Sequence, residues 1–249
     1  MTIAVIATAL VIGASVLLAD SHDRLDRGLL GYWRFDEAGE VVVDSSGNGN
    51  NGVFVNSGLA PGLIGQALAL SGEDDAHVSI PGTESLSRFN MDVTVSAWVF
   101  AATAPDDFIV VVSRQIGTIL HPDQFYLGFG PDVEPVQYKW HLGTLVGNFP
   151  LNDFSVYAGE PVVARWVHLA GTYDGAWMVF YENGRELGRQ RLGGTIRVDD
   201  NPVTIGGEEN DERPQVVEGE FHGLIDEVRL YNRALSADEV RALFELPLE

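Results

Sequence analysis

The chain has 249 residues with 45% apolar content, enough to fill a sizeable core, and its 5 Trp, 12 Phe and 7 Tyr exclude disorder for the bulk of it. A formal charge of −21 repels phosphate backbones and anionic membranes, which argues against nucleic-acid binding and favours divalent cations as partners. With no cysteine there can be no disulfide, thiolate metal site or Cys nucleophile.

Lys139 is the only lysine. A salty habitat and an arginine-rich codon usage account for this equally well. Ile3 to Ala19 is an uncharged, mostly apolar run of about 17 residues, near the lower limit for a membrane-spanning helix. Residues 1–19 therefore read as a secretory signal peptide or an uncleaved membrane-anchor helix, and 20–28 as a polar linker. One domain is expected over 29–249.

From Leu29 onward, strand follows strand. Leu29 to Phe35 is the first, and Val41 to Val43 leads into an oxygen- and glycine-rich loop, Asp44 to Gly52. Val53 to Val55, Ala67 to Leu70 and His77 to Ile80 are short strands. Val93 to Phe100 alternates cleanly, with Val93, Val95, Ala97 and Val99 on one face. Phe108 to Val112, Phe125 to Phe129, Val136 to Leu142 and Trp166 to Tyr173 continue the series. Ala176 to Tyr181 and Glu186 to Arg191 flank Asn183-Gly184, a pair suited to a type I′ hairpin turn. Val203 to Ile205 and Phe221 to Leu230 complete the strands. The convincing helix comes last, with Ser236 and Glu239 as a capping box and Val240, Leu243 and Phe244 as its apolar stripe. This order predicts an all-β, antiparallel two-sheet sandwich of jelly-roll type, with an N-terminal apolar helix and a short C-terminal helix.

Three stretches resemble the laminin-G-like (concanavalin-A-like) jelly-roll family. They are Leu30 to Glu37 with Asp44 to Asn50, Arg165 to Gly175 with Tyr181 to Gly184, and Gly223 to Ser236. The resemblance spans about Leu29 to Phe244 and is weakest over Ser113 to Gly159. It implies an extracellular role in adhesion or glycan recognition, often beside catalytic domains in larger proteins. It also implies that the Asp44 loop joins Asp226 around calcium, a hard cation that takes six to eight oxygens. Asp44 and Asp226 are the expected ligands, supported by Asn48 and Asn50, with Asp36 a further candidate. An Asx turn is the competing reading of the loop, and a salt-bridged strand carboxylate that of Asp226.

Tyr126, Tyr138 and Trp140, in the divergent middle region, are candidate sugar-stacking residues, with Arg114, Gln137 and His141 as polar partners. Plain core packing is the competing reading for each aromatic. Trp33, Trp98 and Trp166 are assigned to the core, and His168 to a structural role. Glycosidases commonly need two carboxylates across the scissile bond. No Glu-x-Asp-x-Glu strand pattern occurs here, and Glu208 to Glu212 reads as a solvated loop. Histidines at 22, 77, 121, 141, 168 and 222 lack zinc spacing. The sequence thus favours an exported, calcium-stabilised module, secreted or at the cell surface, that binds a glycan or an extracellular protein without catalysis. Two alternatives stand beside it: a structural subunit that self-assembles or is anchored through its N-terminal helix, and a polysaccharide-acting enzyme.

Overall fold

The computed structural model describes residues 24–88, 91–115, 123–130, 135–146, 149–196, 200–209 and 217–246. The predicted N-terminal helix over 1–19 lies outside them. No helix among the described residues is long and apolar enough to cross a membrane.

In chain order the strands begin with β1 (Leu29–Trp33), β2 (Val41–Val42), β3 (Gly52–Val55), β4 (Gly58–Pro61), β5 (Gln66–Ser71), β6 (His77–Ile80) and β7 (Asp92–Ala101). Then come β8 (Ile109–Gln115), β9 (Asp123–Gly130), β10 (Gln137–Val146), β11 (Phe149–Ala158), β12 (Trp166–Asp174) and β13 (Trp177–Glu182). The last are β14 (Arg185–Arg191), β15 (Thr195–Ile196), β16 (Val203–Ile205), β17 (Glu208–Glu209), β18 (Val217–Glu218) and β19 (His222–Tyr231). Helix α1 (Ala237–Glu245) closes the described chain, and its capping box forms as the sequence predicts.

Two antiparallel sheets result, as expected for a jelly-roll sandwich. One runs β14-β13-β12-β7-β19-β5-β4, with β1 also on β19; the other runs β11-β10-β9-β8-β16-β6-β3-β2. The alternation in β7 holds, and Val93, Val95, Ala97 and Val99 all enter the central core. Phe125, Leu127 and Phe129 of β9 and Tyr138, Trp140 and Leu142 of β10 meet them from the facing sheet. A Cβ on Gly171 would collide with the Trp140 ring, so glycine lets that indole lie flat on β12.

Part of the outer face of the first sheet is buried as well. Val240 and Leu243 of α1 pack on Ala170, Tyr181, Tyr231 and Leu235 in a second cluster. Each such side chain contributes about 1.5–3 kcal/mol. Trp98 sits here rather than in the central core, stacked on Phe244 at 5.4 Å. His168 lies against the same two rings, and burial with the nearby Arg229 charge lowers its pKa to about 3. It is a neutral packing residue, as expected. Trp166 is only half-buried. Residues 24–28, read as linker, dock on the body: Leu25 joins the second cluster, and Arg233 donates to the carbonyls of Arg24 and Arg27.

Candidate functional site

The Asp44 loop is a closed hydrogen-bond network. Asp44 Oδ1 accepts from the amides of Tyr32 (3.0 Å) and Ser46 (2.8 Å). Its Oδ2 accepts from the Ser46 hydroxyl (2.8 Å) and the Asn50 amide (2.9 Å). Four bonds fill the four lone-pair sites of a carboxylate. Asn50 donates to the Leu30 carbonyl, and its Oδ1 accepts from the hydroxyls of Thr83 and Ser85. The Asn48 amide likewise serves the carbonyls of Leu29 and Leu30. The Asx-turn reading describes this loop.

Asp226 lies elsewhere, at a bulge of β19. Both of its neighbours on β19 change there: β5 pairs up to Ile225, β1 pairs from Val228, and the register with β7 shifts between Asp226 and Arg229. Glu227 takes φ 53° at that break. The bulge aims Asp226 Oδ2 at the amides of Leu63 (3.0 Å) and Ile64 (3.2 Å). Asp36 grips the same turn through the Gln66 amide at 3.0 Å, and Arg34 pairs with it at 2.7 Å. A Cβ at Gly62 or Gly65 would run into Asp226 or Asp36 respectively. The expected ligands therefore fall into two groups: Asp44, Asn48 and Asn50 in one network, Asp36 and Asp226 on the 62–66 turn. The resemblance implies that the loop joins Asp226 around one ion; among the described residues the two share no hydrogen-bond partner, because the bulge turns Asp226 toward the 62–66 turn.

Burial raises the Asp226 pKa to about 7, with the Ile64 amide opposing and Glu227 adding to the rise. Beside it, Glu227 Oε2 accepts from Tyr32 (2.6 Å) and Arg229 (2.7 Å), and the Arg229 guanidinium lies 3.9 Å from the Tyr32 ring centroid. No group of three or more His, Asp or Glu arranged to hold a metal occurs among the described residues.

The predicted sugar-stacking residues are not on a shared open face. Tyr138 and Trp140 point into the central core. The Tyr138 hydroxyl accepts from the Val162 amide, and Trp140 Nε1 donates to the Thr172 carbonyl. Arg114 is fully buried and donates to the carbonyls of Leu86 and Asn201. Tyr126 occupies the opposite face of the sheet, in a polar cross-strand row Thr204–Ser113–Tyr126–His141–Ser155. Gln137 and His141 share that face, where Lys139 Nζ sits 5.5 Å from the rings of Tyr126 and Tyr157. Yet Tyr126 is 0% exposed and stacks on Phe108 at 4.9 Å. None of these four side chains presents a ring or a guanidinium to solvent, which corrects the binding assignment. Glu208 is corrected too: it is buried and pairs with Glu218 across a two-strand ribbon, while Glu209 meets His77 at 3.1 Å.

An open concavity, polar in its middle, lies at one end of the sandwich, where sequence reasoning placed nothing. Three clefts of about 430, 250 and 350 Å³ adjoin there. Ser71 and His222 line the first two, and Ala104, Pro105 and Asp106 line the second and third, so they form one trough. Glu73, Thr103, Asp106, Glu220 and His222 supply its polar groups, and Phe129 and Phe221 border the middle cleft. His222 Nδ1 lies 3.4 Å from the Thr103 hydroxyl. Glu220 Oε1 is buried with no hydrogen-bond partner among the described residues. Neither Arg nor Lys lines any of the clefts. Hydroxyl, carboxylate and imidazole groups around an open concavity can hydrogen-bond a polyhydroxylated ligand.

A family model described as the concanavalin A-like lectin/glucanases superfamily, Laminin_G_3, matches residues 71–241. The chain is 25% identical over 186 residues to adhesion G-protein coupled receptor V1 of Danio rerio, covering 73% of this chain and 3% of that protein. It is 37% identical over 76 residues to a shell matrix protein of Mytilus californianus, covering 30% of this chain and 22% of that one. The chain thus spans under a quarter of either relative. Among solved structures, domain 4 of the extracellular arabinanase AbnA from Geobacillus stearothermophilus, in complex with arabinotriose, superposes with a TM-score of 0.65 at 19% identity. That match covers 86% of this chain and 97% of the other.

Proposed function

Because this chain belongs to the concanavalin A-like lectin/glucanases superfamily, we propose that it is an exported glycan-recognition or adhesion module that does not catalyse. The continuous trough lined by Ser71, Thr103, Asp106, Glu220 and His222 carries this reading. The inner faces of the two sheets pack on each other and α1 covers part of the first sheet's outer face, while the trough at the loop end stays open. The arabinotriose complex of the similar arabinanase domain supports a carbohydrate ligand, and the adhesion-receptor and shell-matrix relatives support an extracellular setting. Absence of a Glu-x-Asp-x-Glu strand supports a binding rather than a hydrolytic role. A glycan array tests the proposal: the protein retains oligosaccharides, and His222→Ala or Glu220→Gln lowers retention about tenfold. Failure to retain any glycan, or full retention by both variants, sinks it.

We also propose that calcium stabilises the module, bound beside the 62–66 turn. Asp44 has no lone pair left for an ion. Asp226 and Asp36 keep acceptor capacity on either side of the 62–66 turn, so they would hold it. A bound ion adds stability by mass action. Millimolar calcium should then raise Tm by a few degrees and EGTA should reverse it. An unchanged Tm rejects calcium.

A further inference from the structure

At the far end of the first sheet from the trough, the β13–β14 hairpin carries a surface of opposite character. Trp177 is 39% exposed, the one tryptophan among the large apolar side chains left exposed in the described residues. The trough sits at the Ala101 end of β7, whereas Trp177 lies toward its Asp92 end, about 30 Å away at ~3.3 Å per residue. Strand β14 bears Arg185, Arg189 and Arg191 against one acid, Glu186, in a chain whose net charge is −21.

Register puts Arg191 directly opposite Trp177 and Arg189 opposite Val179, so both arginines share the indole's face, away from the core residues Met178 and Phe180. The Arg189 guanidinium lies 5.9 Å from the Trp177 ring centroid, and a forked pair of bonds to Glu186 holds it. Arg191 is exposed and meets no carboxylate among the described residues. Across Gly175, Met91 extends the apolar surface at 46% exposure.

An exposed indole offers a rigid flat surface to the apolar face of a pyranose. A guanidinium at its edge matches a planar carboxylate with two parallel hydrogen bonds. Two carboxylates lie close by, Glu186 on Arg189 and Asp174 on the Trp177 amide, so at a physiological screening length of about 8 Å it is the Arg191 charge that is left to face a ligand. We infer that Trp177, Arg189 and Arg191 form a second binding surface, for a uronate-containing polysaccharide whose ring lies on the indole and whose carboxylate meets Arg191.

Calorimetric titration of the full chain with polygalacturonate, a neutral galactan and a sulfated galactan tests this. Polygalacturonate binds, with affinity that falls as NaCl rises from about 50 to about 300 mM. Trp177→Ala and Arg191→Gln each weaken it about tenfold, Trp177→Phe restores most of the loss, and Arg88→Gln, a surface control, changes nothing. His222→Ala leaves this affinity intact, which separates the surface from the trough. Equal binding of the neutral galactan, preference for the sulfated one, or unchanged affinity in both Trp177→Ala and Arg191→Gln overturns the inference.

Discussion

The Asp44 loop and the loop-end trough are both rich in oxygen atoms, yet they do opposite things with them. In the loop, every carboxylate lone pair of Asp44 and the amide of Asn50 are taken by the protein's own donors. In the trough, Glu73, Asp106, Glu220 and His222 line open space, and one Glu220 oxygen has no partner among the described residues. Composition alone cannot separate the two cases. What separates them is whether nearby backbone amides converge on the oxygens, because a satisfied acceptor stabilises the fold and an unsatisfied one is left for a ligand.

The largest test of this contrast is Asp44→Ala. It strands the amides of Tyr32, Ser46 and Asn50, and should cost about 3 kcal/mol in urea unfolding. A loss under about 0.5 kcal/mol, the range of ordinary surface changes, would break the comparison.

An intermediate case is the ion pair of His77 and Glu209. Burial lowers the His77 pKa, but bonds to Glu209 and the Asp75 carbonyl outweigh it and raise it above 6.5. The same bond lowers Glu209 below 4.5. The histidine's contribution is complete below 6.5 and is lost as pH rises through its higher folded value. The glutamate's is complete above 4.5 and is lost as pH falls through its lower one. Stability from the pair therefore peaks between 4.5 and 6.5. Its size is about 1 kcal/mol, since Glu209 is partly solvated. Denaturant midpoints from pH 4 to 8 should show this hump in the wild type and not in Glu209→Gln.

The smallest expected effect is the most diagnostic. His222→Ala in the trough should shift stability by less than about 0.5 kcal/mol while it lowers ligand retention about tenfold. A large destabilisation would mean that the trough is structural after all.

Much of the fold was legible because its signals are local. The β7 alternation, the Asn183-Gly184 turn with φ of 49° and 71°, and the Ser236 capping box each depend on a few neighbouring residues. Strands β4 and β11 were missed because Gly58, Pro61 and Pro150 obscure their pattern. The binding residues were misjudged for a readable reason. In Gln137-Tyr138-Lys139-Trp140-His141-Leu142 the polar and apolar residues strictly alternate, so Tyr138 and Trp140 had to face the core together, away from Gln137 and His141. The trough had no such signal. Its walls come from loops near residues 72, 104 and 221, which only the completed sandwich brings together.

The last strand is the keystone of the first sheet. β19 bonds to β7 on one side and to both β5 and β1 on the other, so the chain's first and last strands lie edge to edge. The first sheet cannot be finished, and α1 has nothing to cover, until residues near 230 have left the ribosome. Such long-range pairing makes for slow, late closure. A nascent chain of this design would stay open, and so threadable through a narrow translocation pore, until that strand is made.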